Sequence, residues 1–328
     1  MATLATGNPT LADWIKRTNP DGSIATIVEM LNETNDVLDD IAWEEANGAM
    51  THMTTVRTGL PASTWRKLYG GVQPTKSTNV QVVETLGMLE QYSEVDKDLA
   101  MLNGNTAAFR LTEDAAHIEG MNQDFVEALF YNDTDINPER FLGFSARYDD
   151  LSAESGDNII AAGGAGSDNA SIWLIVWGAD VHCLFPKGQV GGLMFEDLGQ
   201  ETVTAADGGY FEALRSHYQW KPGLSVRDWR KIVRIANIDK SALTADASSG
   251  ADLPDLLVQA LELVKNRNVG RAAFYSNRTV KSFLRRQIIN ANNVRYGQAE
   301  VAGKHVDTFD GVPFRQVDAL DPDEAAVT

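Results

Sequence analysis

The sequence predicts a mixed α+β protein, and three observations support this class. Apolar residues make up 43% of the 328 positions, which supplies a sizeable core and excludes a disordered chain. Residues 171–177 form an unbroken apolar, β-branched and aromatic run, which is typical of a strand covered on both faces. Residues 112–130 instead place apolar side chains close to a period of 3.6, as an amphipathic helix does. No internal repeat of fixed period accompanies these patterns.

The first 48 residues predict an extended arm. Residues 1–23 are polar, are interrupted by glycine and proline, and contain one short amphipathic turn that includes Trp14. Residues 24–47 have apolar spacing that suits a short helix and then a second turn, with an interruption near residues 32–35.

Residues 49–90 predict a β-hairpin with an unusually long connection. Residues 50–57 and 80–85 are β-prone, whereas residues 59–77 between them contain several glycines and prolines and cannot form a regular element. Such a long connection inside one hairpin is uncommon in a compact domain. It carries large apolar side chains, which favour docking on a partner over a free loop. The candidate contact residues here are Trp65, Arg66, Lys67, Leu68 and Tyr69.

Residues 93–132 predict helices. Residues 98–102 form a short helical piece, and a longer helix opens at Thr112, a plausible N-cap followed by two acids that suit the helix dipole. This helix spans about 20 residues, or about 30 Å.

The remaining chain predicts mainly strands, with two further helices. The expected helices are residues 253–265 and 279–290. The expected strands, besides 171–177, are residues 181–185, 191–198, 201–205, 210–220, 228–235, 272–275, 301–306 and 312–315.

The charge is strongly acidic and unevenly distributed. The chain carries 28 basic and 46 acidic side chains, for a net charge of −18, which argues against a dedicated nucleic-acid binder. Residues 1–150 have a net charge of −14, whereas residues 215–315 have a net charge of +8. Two explanations of this uneven distribution remain open. Either the charges belong to solvated faces without a partner, or acidic and basic surfaces of neighbouring copies meet in an assembly.

No motif in the sequence requires catalysis, a cofactor or a metal. The single cysteine, Cys183, excludes an intramolecular disulfide and a cysteine-built zinc site, and we expect it to be buried and inert. The five histidines form no metal-binding pair, and the glycine-rich stretches 163–166 and 188–192 match no phosphate-binding motif. Neither a secretory signal nor a membrane-spanning run is visible, so we expect a soluble protein of a reducing compartment.

Five separated segments resemble one family, the major capsid proteins of tailed bacteriophages with the HK97-type fold. They are most similar to the podovirus-type members without an N-terminal scaffolding domain. The most specific match is residues 223–230 with Ala236-Asn237-Ile238-Asp239. The other four segments are residues 27–47, residues 105–123, residues 171–188 and residues 309–314. All five occur in the order that the family has.

The resemblance implies a division of the chain. Residues 1–48 correspond to the N-arm, and residues 49–90 to an extended loop that lies over a neighbouring subunit. Residues 91–145 together with 291–328 correspond to the peripheral domain, with a spine helix at 111–132. Residues 146–290 correspond to the axial domain.

The resemblance also implies a structural role without enzymatic activity. Copies of the chain would form hexamers and pentamers of an icosahedral head around double-stranded DNA, assembled in the cytoplasm of a host bacterium. The implied partners are a separate scaffolding protein, a portal protein, weakly held DNA and, in some relatives, a decoration protein. An encapsulin-like nanocompartment shell and a soluble α/β enzyme are the alternative hypotheses.

Overall fold

The computed structural model describes residues 33–102, 106–205, 208–290, 296–301 and 304–328. Trp14 and most of the predicted arm lie outside these residues. The helices and strands are as follows. The helices are α1 (Val37–Asp40), α2 (Lys97–Met101), α3 (Thr106–Tyr131), α4 (Leu253–Leu263) and α5 (Arg278–Asn290). The strands are β1 (Trp43–Glu45), β2 (Thr51–Gly59), β3 (Thr78–Thr85), β4 (Leu89–Asp96), β5 (Ile159–Ala161), β6 (Asn169–Trp177), β7 (Val181–Phe185), β8 (Met194–Thr204), β9 (Tyr210–Trp220), β10 (Gly223–Val226), β11 (Ile232–Asp239), β12 (Arg271–Ser276), β13 (Tyr296–Val301), β14 (Lys304–Phe309) and β15 (Val312–Gln316).

The described strands form four sheets. The largest has seven strands in the order β13-β14-β15-β12-β6-β11-β5, with β6 near its centre. Two sheets have three strands each, β1-β7-β10 and β4-β9-β8, and the hairpin β2-β3 pairs only with itself. The architecture is therefore α+β, as the sequence predicts.

Strand β6 divides the core into two layers because successive side chains of a strand point to opposite faces. Trp173, Ile175 and Trp177 pack with the second half of α3. The alternate residues Ile172, Leu174 and Val176 pack with α4 and α5 on the other face. All nine residues of β6 are buried, which confirms the prediction of a strand covered on both faces.

The C-terminal segment is attached to the core layer that contains α3 through the buried carboxylate of Glu324. Glu324 accepts hydrogen bonds from Arg234 (2.8 Å), Ser171 (2.5 Å) and Tyr131 (2.6 Å). The Arg234 guanidinium also lies 5.0 Å from the ring centroid of Trp173. Residues of β6, β11, α3 and the C-terminal segment are thus joined by one ionic group.

Several predictions about secondary structure are wrong. Thr112 does not cap the long helix, because α3 already includes Thr106 and the Thr112 hydroxyl donates to the carbonyl of Phe109 at 2.7 Å. Residues 191–198 and 201–205 are not separate strands, because β8 runs through both with a bulge at Gly199, whose φ is +72°. A glycine is suited to that left-handed conformation. Strand β4 lies partly in a region predicted as helical.

Candidate assembly surface

The loop between β2 and β3 presents large apolar side chains to solvent. Trp65 and Tyr69 are completely exposed, and Leu60 and Leu68 are more than four-fifths exposed. A single exposed apolar residue needs no explanation, but a cluster of this size on one loop is typical of surfaces that contact a partner. The structure therefore brings together five of the six predicted contact residues, namely Trp65, Arg66, Lys67, Leu68 and Tyr69.

The tip of this loop has a defined backbone. The amide of Gly70 donates to the carbonyl of Lys67 at 3.0 Å and closes a turn. Tyr69 occupies this turn with φ at +63°, a left-handed conformation that a non-glycine residue adopts at a cost of about 1–2 kcal/mol. Across the loop, the Thr75 hydroxyl donates to the carbonyl of Ala62 at 3.0 Å. These bonds hold the aromatic side chains outward in one place.

Polar side chains from several elements hold the base of the hairpin. Arg147 donates two hydrogen bonds to Glu84 at the end of β3, at 3.0 and 2.7 Å. At the start of β2, His52 Nδ1 accepts from the backbone amide of Asn47 at 3.2 Å. Arg227 lies 3.2 Å from His52 Nε2 and donates to Glu44 at 2.9 Å. The base is therefore fixed while the tip extends outward.

The charges at this base shift the titration of its histidines. Burial lowers the pKa of His52, and the adjacent Arg227 guanidinium lowers it further. Burial also lowers the pKa of His182, whose Nε2 lies 3.2 Å from Glu44, although that carboxylate acts in the opposite direction. Burial raises the pKa of Glu44, but the hydrogen bond from Arg227 outweighs this and the net pKa is lowered. The folded base therefore favours neutral histidines beside a charged Glu44–Arg227 pair.

A pocket of about 210 Å³ opens beside α3, near the end of β3. Its floor is formed by Phe125, Ala128 and Phe141, which are buried, and its mouth includes Met88, which is 61% exposed. The rim carries the charged residues Asp124, Glu139 and Arg140. The sequence reasoning missed this pocket, because its walls come from four separated segments.

An acidic groove of about 670 Å³ continues from this pocket along the same helix and shares Asp124 with it. Its carboxylate-bearing residues are Glu33, Asp124, Glu127, Asp318 and Asp321. Asp318 pairs with Arg278 at 2.8 Å. Within the described part of the chain, no basic side chain forms an ion pair with Asp124, Glu127 or Glu139.

Neither a metal site nor a reactive thiol is apparent in this region. Among the described residues, no group of three or more histidine, cysteine or acidic side chains is placed to hold a metal ion. Cys183 is completely buried in β7, as predicted, and this burial raises the pKa of its thiol. None of the described helices is both long and apolar enough to cross a membrane.

Comparison with known proteins identifies the family. The family model described as major capsid protein GP7 matches residues 19–328. A chain from the cryo-EM structure of bacteriophage epsilon15 is 38% identical, covers 100% of both chains and superposes with a TM-score of 0.78. The chain matches no curated protein sequence.

Two more distant structures resemble parts of the chain. The bacteriophage JBD30 capsid is 10% identical, with 87% of this chain and 91% of that chain covered and a TM-score of 0.48. The SrpI encapsulin of Synechococcus elongatus PCC 7942 is 9% identical, with coverages of 66% and 92% and a TM-score of 0.45. Neither adds weight to the assignment, which the family match and the epsilon15 structure carry. The chain belongs to the major capsid protein GP7 family: it has the HK97-like capsid fold and is the structural protein whose copies assemble into the capsid of a bacteriophage virion.

Proposed function

We propose that copies of this chain form the hexamers and pentamers of an icosahedral head that encloses double-stranded DNA. The observation that carries this proposal is the loop between β2 and β3, where Trp65 and Tyr69 are fully exposed on a tip with a defined backbone. Burying these two side chains against a neighbour removes a few hundred Å² of surface from water, at roughly 25 cal/mol per Å². Repeated over a closed shell, such contacts give a durable container.

The proposed domain division follows the resemblance. Residues 1–48 are the N-arm, residues 49–90 the extended loop, residues 91–145 with 291–328 the peripheral domain, and residues 146–290 the axial domain. The self-contained pairing of β2 with β3 supports a separate extended loop. Because β15 pairs with β12, the peripheral and axial domains share one sheet.

The proposed partners are a separate scaffolding protein and a portal protein during assembly in the host cytoplasm. Packaged DNA is held only weakly. The net charge of −18 supports weak holding, because an acidic shell limits adhesion of a polyanion that must enter and later leave.

Removing the exposed loop tests the role of the hairpin. Deletion of residues 59–77, closed by an Asn-Gly turn, should leave a folded subunit that fails to form stable shells, because the turn suits the hairpin while the apolar tip is lost. A matched control replaces Ser63, Thr64 and Gln73 of the same loop with alanine and should assemble normally. Negative-stain microscopy and light scattering measure both. Normal shells from the deletion variant would show that the loop is not an assembly contact.

Nuclease protection of purified particles separates a DNA-containing head from a cargo compartment. We expect particles isolated from infected cells to protect double-stranded DNA. Particles that protect no nucleic acid and instead contain a single co-purifying enzyme would favour the encapsulin-like alternative.

A further inference from the structure

The base of the β2-β3 hairpin places a buried histidine between two hydrogen-bond donors. His52, the second residue of β2, is only 4% exposed. Its Nδ1 lies 3.2 Å from the backbone amide of Asn47, and its Nε2 lies 3.2 Å from the guanidinium of Arg227. A neutral imidazole has one acceptor nitrogen and can satisfy one of these donors, whereas a protonated ring has none. Protonation of His52 therefore leaves both contacts as donor against donor.

The acidic side chains around His52 are already bound to arginines. Glu84 lies directly opposite His52 in the hairpin, and its carboxylate accepts two hydrogen bonds from Arg147. Glu44 of β1 accepts a hydrogen bond from Arg227. A positive charge on His52 would thus face the Arg227 guanidinium without gaining a carboxylate of its own. Burial and this guanidinium lower the pKa of His52, and Glu44 and Glu84 offset only part of the effect.

A second histidine, from β7, belongs to the same cluster. The ring of His182 is buried and lies edge-on to that of His52, with 6.2 Å between the ring centroids. Its Nε2 lies 3.2 Å from Glu44, the carboxylate that Arg227 also binds. In acid, three cationic groups would share this one carboxylate, and burial lowers the pKa of His182 as well. The cluster is therefore stable with neutral histidines and is destabilised by protonation.

This cluster anchors the start of β2. The Asn47 side chain donates to the carbonyl of Met53 at 2.6 Å and accepts from the amide of Met53 at 2.9 Å, so the residue that donates to His52 also holds β2. Arg227 follows β10 and also donates to the carbonyl of Ala179 at 3.1 Å, which connects the cluster to the adjacent sheet. Among the described strands, β2 and β3 pair only with each other. Side chains of this cluster therefore determine how the β2 side of the hairpin is attached.

We propose that the base of the hairpin is an acid-sensitive hinge. Protonation of His52 releases the start of β2 from Asn47 and Arg227, so that the hairpin changes its angle to the sheet β1-β7-β10 while the core around β6 stays folded. The nine residues of β2 make a lever of about 30 Å, so a rotation of about 10° at the base moves the tip by about 5 Å. The inference goes beyond the proposed function, because it concerns a single subunit and requires no assembly.

Hydrogen–deuterium exchange of the unassembled full-length subunit tests the release of β2. Mass spectrometry follows the exchange between about pH 8 and about pH 5, with correction for the intrinsic pH dependence of exchange. Amides of residues 47–53 should lose protection about tenfold below about pH 6, which corresponds to the loss of one buried hydrogen bond. Amides of β6 in the same molecules should keep their protection. Equal losses in both segments would mean that acid unfolds the whole subunit, and would contradict the hinge.

Substitutions assign the effect to His52. His52→Gln keeps an acceptor but does not titrate, so residues 47–53 should show no loss of protection in acid. His217→Gln, which changes a histidine of β9 outside the cluster, is the matched control and should behave as the wild type. Circular dichroism checks folding. If His52→Gln does not fold, Arg227→Gln replaces it: the glutamine carbonyl can accept from the protonated ring, so the loss should be smaller than in the wild type. A loss of wild-type size in either variant would overturn the proposal.

A distance measurement tests whether the hairpin moves as a unit. Thr64→Cys on the loop and Ser282→Cys on α5 are both exposed and accept spin labels, whereas Cys183 is completely buried and does not. The distance between the labels should change between about pH 8 and about pH 5, and should stay constant when His52→Gln is added. A constant distance in the wild-type background, together with a loss of protection in residues 47–53, would show local fraying of β2 and not a hinge.

Discussion

Glu324 is a single residue that connects several elements through a buried carboxylate. It pairs with Arg234, and only 4% of that arginine side chain and 7% of the glutamate side chain are exposed. Breaking such a pair leaves an uncompensated charge in the interior, which is more costly than losing an exposed pair. The neighbouring Lys240–Asp323 pair provides the contrast, because its carboxylate is 57% exposed.

Replacement of Glu324 by alanine should lower the free energy of unfolding by about 3–5 kcal/mol, because Arg234 is left buried without its partner. Urea denaturation of the unassembled subunit measures this loss. Asp323→Ala is the matched control and should cost at most about 1 kcal/mol. Equal losses for the two variants would contradict the role assigned to burial.

The histidines at the base of the hairpin make a prediction about pH. The pKa of both His52 and His182 is lowered in the folded chain, where Glu44, Glu84 and Arg227 surround them. As the pH falls below about 6.5, the usual histidine pKa, the unfolded chain binds protons first and stability decreases. Protonation of the His52 ring at Nδ1 would also remove the hydrogen bond that this nitrogen accepts from the backbone amide of Asn47.

The double variant His52→Gln and His182→Gln should therefore lose less stability than the wild type between about pH 7 and about pH 5. The urea midpoint across this range measures the slope, and values at about pH 8 serve as the internal control because both histidines are then neutral. If the urea midpoints of the two proteins fall with pH at the same rate, these histidines are not the source of the pH dependence of stability.

At the scale of elements, helix α4 depends on a side chain from α5. Gln287 is buried, accepts from the backbone amide of Leu253 at 3.0 Å, and donates to the carbonyls of Thr244 and Ala251 at 3.0 Å. Leu253 is the first residue of α4, so Gln287 satisfies a backbone group that helix starts leave unpaired.

Gln287→Ala should destabilise the subunit by about 1–3 kcal/mol, since buried backbone groups would lose their partners. Gln259→Ala is a control on the exposed side of α4 and should change stability by about 0.5 kcal/mol or less. Thermal unfolding of the two variants measures how much stability each one loses. A similar melting temperature for both would show that water replaces Gln287 at this position.

Strong local signals in the sequence predict elements well, and boundaries poorly. The apolar run in β6 and the periodicity of α4 and α5 are local signals that the structure confirms, and the strand expected at residues 210–220 is β9. Thr112 fails as a helix start because a threonine inside a helix can return its hydroxyl to an earlier carbonyl, as it does to Phe109. The exposed loop was predictable from its composition. The pocket was not, because Met88, Phe125 and Phe141 meet only through the tertiary fold.

At the scale of the whole molecule, part of the uneven charge distribution is used for ion pairs within one subunit. Part of the basic segment 215–315 already pairs with the acidic first half of the same chain, in Arg227–Glu44, Arg215–Glu94 and Arg315–Asp40. The predicted complementarity is therefore used inside one subunit. Contact between the basic segment 215–315 of one subunit and the acidic segment 1–150 of another stays a prediction. The basic loop of residues 60–77 lies outside that basic segment and is a separate basic surface.

Salt dependence tests the contribution of that loop to assembly. Arg66→Gln, Lys67→Gln and Lys76→Gln together should weaken assembly at low ionic strength, because the attraction to acidic side chains is lost. The difference from the wild type should disappear at about 1 M salt, because the Debye length is then only about 3 Å and the charges no longer attract one another. Light scattering of both proteins across the salt series gives the comparison. A difference that persists undiminished at high salt would point to lost packing instead of lost charge.

The position of β6 in the seven-stranded sheet also has a kinetic consequence. Both neighbours of this strand come from much later in the chain, as the pairings of Leu174 with Val233 and with Phe274 show. Sheets built from such distant segments fold slowly, on a scale of about milliseconds to seconds, because the intervening chain must be ordered first. We therefore expect assembly-competent subunits to become available gradually. A gradual supply favours the completion of shells already begun over the simultaneous start of many that remain unfinished.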